Sequence, residues 1–152
     1  MSWRRWLFPW GAVVVVVIAA AFSLPALPLL PDRVVIQWKS GQPSQYLPRL
    51  AVPLSFVVSA IFPVLVLCAL SVAKTAHRMV RVLFSASAYP LSIMLAGFYW
   101  AVLAPQISLR DGAELARANG PSVPVALSGL LLAALVFIPS YGFSRKLLMT
   151  GS

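Results

Sequence analysis

Charge is what this chain mostly lacks. Four long stretches of the 152 residues, roughly 6–30, 50–73, 82–106 and 123–143, contain no Asp, Glu, Lys, Arg or His. Only three acids occur, Asp32, Asp111 and Glu114, and none lies in those stretches. The single cysteine, Cys68, has no partner for an intrachain disulfide and reads as a space-filling residue. The single histidine, His77, has no second His or Cys nearby, so no zinc site is expected. No Ser/His/Asp set, HExxH, phosphate-cradling glycine loop or intramembrane carboxylate pair is visible. The sequence therefore predicts a protein without catalytic residues, cofactor or metal.

The apolar stretches are what the chain has instead. Hydrophobic residues make up 61% of it and the mean hydropathy is +0.90, against about 45–50% apolar for a soluble domain. Each stretch approaches or exceeds the ~20 residues a helix needs to cross a bilayer core. The expected fold is all-α: one transmembrane domain over residues 1–152, a four-helix bundle with a short extended external loop at 31–49. The run Val13–Ile18 is β-branched, but an open strand cannot satisfy its backbone in lipid, so helix is expected there. Pro25, Pro28 and Pro31 end the first helix, and Pro63, Pro90 and Pro139 lie inside the others. Met1–Trp6 and Ala19–Ala21 resemble parts of a signal peptide. The apolar run exceeds the usual h-region of about 7–15 residues, so an uncleaved helix is expected.

The charges then set orientation. Arg4, Arg5, Lys74, Arg78, Arg81, Arg145 and Lys146 fall on one side of a four-span chain. Arg33, Lys39, Arg49, Arg110, Arg117 and all three acids fall on the other. Seven basic residues against five, with the seven at helix ends, predict cytoplasmic termini. The net charge of +9 is thus distributed as a topology signal, and no basic region resembles a nucleic-acid groove. If helix continued through the inner connection, Lys74, Arg78 and Arg81 would form one basic stripe facing anionic lipid head groups. The polar side chains within the spans are few: Ser, Tyr, Cys68 and the boundary residue Gln106. The absence of intramembrane ionisable groups counts against an ion-coupled transporter. Gly97 with Ala101 and Gly129 with Ala133 have the small-xxx-small spacing that lets helices approach closely.

The first external loop holds the most specific string. Val34, Ile36 and Trp38 alternate with Arg33, Val35 and Gln37, which predicts a short extended segment with one face on the bundle. Lys39-Ser40-Gly41 turns the chain, with Gly41 able to take positive φ. Pro43 and Tyr46 lead toward the second helix. In the second loop, Ser108 and Asp111 have capping-box spacing, Glu114 and Arg117 form an i,i+3 pair, and Asn119-Gly120-Pro121 is a stop, so a short surface helix is expected. Asp111 and Glu114 have the chemistry of cation ligands, but two acids on a solvated helix face usually only solvate it.

Leu30, Pro31, Asp32, Val34, Ile36, Trp38, Gly41, Pro43 and Tyr46 together resemble a known loop motif. It belongs to the small membrane domain of unknown function found at the N-terminus of Sdp-type immunity proteins and alone in many bacterial membrane proteins. The resemblance covers about residues 10–75. The chain departs from that motif at Val35, Gln37 and Ser44, where the family has Pro, His and Asp, and its spacing to Gly41 is one residue shorter. The resemblance implies a multi-pass protein of the bacterial cytoplasmic membrane, non-enzymatic, acting as an accessory or immunity-like factor. Helix packing and external-loop contacts would then join it to a membrane-protein partner or to its own copies. The alternative is a component of an oligomeric transporter or channel.

Overall fold

Apolar runs this long form helices because only a helix pairs every backbone group within its own segment. The computed structural model describes residues 4–73, 77–107, 109 and 120–149. Helix α1 spans Arg4–Ser23, α2 Ala51–Val72, α3 Arg78–Leu103 and α4 Val123–Met149. All four are long and apolar enough to cross a membrane. The β-branched run lies within α1, as expected. Short 3₁₀ segments extend α1 over Leu24–Leu29 and α3 over Ala104–Gln106. Both follow from proline chemistry: Pro25, Pro28 and Pro105 withhold the amide protons that an α-helix would use.

α3 is the central helix. It packs against α1, α2 and α4, whereas α1 and α4 scarcely touch each other. Two close approaches explain how. Gly11 of α1 leaves room for the Tyr89 hydroxyl of α3, which a Cβ at that position would strike. Gly97 of α3 and Gly129 of α4 face each other directly. The glycines of the two small-xxx-small pairs thus meet each other, and Ala101 and Ala133 are buried as well. Near the other end of the same interface, Ser144 and Ser85 lie 3.2 Å apart, oxygen to oxygen, and both are buried. On the far side of α4, Val123, Leu127, Leu131, Leu135 and Ile138 are each more than half exposed. Water would oppose such a surface and hydrocarbon would not.

Several boundaries differ from the expectation. α3 begins four residues before Val82, so Arg78 and Arg81 lie within its first turn. α4 continues past Phe143 and takes in Arg145 and Lys146. Hydropathy locates the apolar part of a helix and misses charged turns that protrude from it. The connection before α3 is also not continuous helix. α2 stops at Val72, Ala73 is extended, and His77 has ψ 144° as the N-cap of α3. The condition for that stripe, helix continuing through the connection, is not met at Ala73 and His77; Arg78 and Arg81 themselves lie in α3. Lys74 and the second-loop residues Ser108, Asp111, Glu114, Arg117 and Asn119 lie outside the described residues.

The expected extended loop is a paired element, so the fold is mostly helical with a small sheet. Strand β1, Arg33–Lys39, runs antiparallel to β2, Gln42–Pro48.

Candidate functional site

The hairpin starts from a turn. Ser40 and Gly41 have φ of 51° and 78°. Two successive left-handed residues make the primed two-residue turn that matches strand twist. Nothing lies within 4 Å of a Cβ built on Gly41, so glycine serves here for its backbone freedom and not for space.

Arg49 fastens the base. Its amide donates to the Asp32 carbonyl at 3.0 Å, and its guanidinium lies 3.4 Å from the Asp32 carboxylate. The same guanidinium reaches the Leu30 carbonyl at 3.5 Å. The ion pair is solvated, so it contributes only about 0–1 kcal/mol. The backbone bond fixes the geometry, and buried Pro31 turns the chain beneath it.

The ladder is irregular between Val35 and Trp38, where Ile36 has no cross-strand partner. This bulge breaks the period of two. Val34 is fully buried against Leu30, Val52, Tyr99 and Leu103, on the helix side. Ile36 lines a groove on that side with Leu47 and Phe56. Val35, one residue on from Val34, is also fully buried, and it packs with Trp38 and Leu109. The expectation that Val34, Ile36 and Trp38 share one face is therefore corrected. Val34 and Ile36 face the helices, whereas Trp38 sits beside Val35.

Gln106 closes the outer edge of β1. Its Oε1 accepts from the Val35 amide at 2.8 Å, and its Nε2 donates to the carbonyls of Val35 and Val102, both at 2.8 Å. The side-chain amide thus stands where one residue of a third strand would stand, and it is completely buried. Tyr46 is the partner of Val35. Because Val35 turns its amide and carbonyl toward Gln106, Tyr46 must turn its own the other way, onto the free edge of β2. Pro48, two residues on, turns the same way, and so does Pro43, because the two-residue turn makes Lys39 and Gln42 the inward-bonded pair and leaves the next residue turned outward. Neither has an N–H, so the free edge is poor in donors and resists pairing with a foreign strand. What β2 offers is side chains: Gln42, Ser44, Gln45 and Tyr46 are all exposed. Ser44 donates to the Gln37 carbonyl at 3.1 Å, which stiffens this face.

Beneath the hairpin, the Ser23 hydroxyl donates to the Ala20 carbonyl at 2.6 Å and lies 2.7 Å from the Tyr99 hydroxyl. With the serine proton used, the tyrosine supplies the donor between them. Tyr99 also stacks on Phe56, with ring centroids 4.1 Å apart. α1, α2 and α3 are thereby joined directly under the sheet.

The predicted loop residues Pro31, Asp32, Val34, Ile36, Trp38, Gly41, Pro43 and Tyr46 all fall in this one element. Arg78 and Arg81 lie at the opposite end of α3, beside His77, whose Nδ1 caps the Met79 amide at 3.4 Å. Sequence reasoning used Arg49 only as a charge of the outer side and gave no site role to Tyr99 or Ser23. Gln106 did carry a signal, as the one amide at the end of an apolar stretch. Among the described residues, no three His, Cys, Asp or Glu side chains group as metal ligands would. No family model matches this chain, and no curated protein or solved structure matches it.

Proposed function

We propose that this chain is a multi-pass protein of a bacterial cytoplasmic membrane that works by binding another membrane protein, as an accessory or immunity-like factor without catalysis of its own. The observation that carries this reading is the hairpin. Its inner face is locked to the helices by buried contacts and by the Gln106 amide, while its other strand holds Gln42, Ser44, Gln45 and Tyr46 out in fixed positions. A surface ordered in advance loses less entropy on binding. The loop resemblance supports the same reading. Arg78, Arg81, Arg145 and Lys146 gather at the opposite end, which favours cytoplasmic termini and contact with anionic lipid head groups.

Purification from native membranes in mild detergent, followed by mass spectrometry, tests the proposal. A stoichiometric complex with a second membrane protein is expected. A homo-oligomer with a continuous polar cavity would instead favour a transporter or channel component.

A further inference from the structure

We propose that the Arg81 guanidinium, at the cytoplasmic end of α3, holds the phosphate group of one anionic phospholipid. The inference rests on the orientation and lipid contact proposed above and deepens them, replacing a diffuse attraction with one discrete site. Among the described residues, the Arg81 Nε is the one buried side-chain nitrogen or oxygen without a hydrogen-bond partner. A guanidinium is always charged, and the plane of the group fixes the direction of its Nε–H. A buried donor of that kind is costly to leave unpaired, so the site calls for an acceptor.

The chain has no acid to offer there. Arg81 stands one turn before Ser85, on the same side of α3. Ser85 meets Ser144 in a buried contact, so that side of α3 is turned toward α4. The charges carried nearby are cations: Arg78 one turn earlier on α3, and Arg145 and Lys146 in the last turns of α4. His77 uses its Nδ1 to cap the Met79 amide. Of the three acids in the sequence, Asp32 pairs with Arg49 in the hairpin. Asp111 and Glu114 follow Gln106 by five and eight residues, which span at most about 18 and 29 Å. Gln106 itself lies 25 residues beyond Arg81, or about 37 Å along the helix. No acidic side chain of the sequence therefore supplies the counter-charge.

Depth selects the source. Val82, the next residue, opens the uncharged stretch of α3. Long side chains of a helix lean toward its N-terminus, here the end where α3 enters the membrane. The guanidinium thus stands where hydrocarbon gives way to head groups, and lipid phosphate is the anion abundant at that level. A planar fork of Nε–H and one Nη–H takes two phosphate oxygens at once, which an ammonium does not. Free phosphate shares this chemistry, and the test separates the two sources.

Native mass spectrometry of the purified protein tests the site. Phosphatidylglycerol and phosphatidylcholine with the same acyl chains are offered in equal amounts, and the melting temperature is measured on the same samples. The wild type should retain one phosphatidylglycerol in preference to phosphatidylcholine, and millimolar inorganic phosphate should not displace it. Arg81→Lys keeps the charge but loses the fork, and should lower that retention about tenfold or more. Arg145→Gln removes an exposed charge at the same end and should lower it about fivefold at most. Equal retention of the two lipids by the wild type, or displacement by inorganic phosphate, would overturn the proposal without any substitution, so a variant that fails to fold does not protect it. A smaller loss in Arg81→Lys than in Arg145→Gln would overturn it as well. So would intact lipid retention in Arg81→Lys with loss of a co-purifying protein, which would give the guanidinium to a partner's carboxylate. A partner that co-purifies with the wild type leaves the interaction reading standing whichever way the lipid result falls.

Discussion

Gly97 on α3 and Gly129 on α4 meet backbone to backbone. A Cβ on Gly97 would stand 2.7 Å from the Gly129 Cα, and one on Gly129 would stand 2.8 Å from the Gly97 Cα. The obstacle in each case is backbone, so neither helix can yield locally. Because α4 is held almost entirely by α3, this contact sets how the fourth helix docks.

Gly97→Ala is therefore expected to destabilise the protein by about 1–3 kcal/mol, as overpacking does in other cores. Gly129→Ala should act alike. Gly142, also on α4, has open space around its missing Cβ, so Gly142→Ala should not lower stability. Thermal unfolding in detergent, with all three variants side by side, checks the ranking.

Gln106→Leu should loosen the hairpin while leaving the helices in place. It removes both partners of Val35 and strands a buried amide and carbonyl, each worth about 1–3 kcal/mol when unsatisfied. Hydrogen exchange at the Val35 amide reads this directly. Faster exchange there, with α2 protection unchanged, is the expected pattern. Unaltered exchange at Val35 would mean that Gln106 does not hold the strand.

Trp38→Ala should lower stability by less than the roughly 3–5 kcal/mol lost when a fully buried Trp or Phe becomes Ala, because Trp38 is only half-buried, beside Val35 and Leu109. Gln37→Ala should have little effect. Its side chain is exposed, and Ser44 bonds to its backbone carbonyl, which the substitution keeps. A melting-temperature comparison separates the two.

What the sequence revealed and what it hid divide by range. The four spans were legible because about twenty apolar residues in a row admit few alternatives. The positive φ of Gly41 was legible because a glycine in the turn after an extended run permits it, whereas the second strand was not. The bulge at Ile36 was not, since a β-branched residue is a good strand former and nothing local marks it as unpaired. The Gln106 clasp joins residues 71 positions apart, and no local pattern reports such a partner. Gly97 and Gly129 were visible as small residues, but glycine is frequent in membrane helices, so their mutual contact was not.

Orientation can be checked by labelling single cysteines on a Cys68→Ala background; Cys68 is buried among other side chains. An impermeant thiol reagent applied to the outside of intact cells should modify Lys39→Cys, on the hairpin, and spare Arg145→Cys, at the far end of α4. The reverse pattern would place the hairpin in the cytoplasm.

The proposed interaction surface is tested most directly by the paired substitution Gln45→Ala with Tyr46→Ala. Both side chains are exposed on β2, so the fold should not depend on them. Quantitative co-purification from native membranes, with melting temperature measured on the same samples, separates recognition from stability. Loss of the partner by about tenfold or more, as expected when an aromatic contact at a binding hot spot is removed, with an unchanged melting temperature, is the predicted result. A partner retained at the wild-type level would contradict the account.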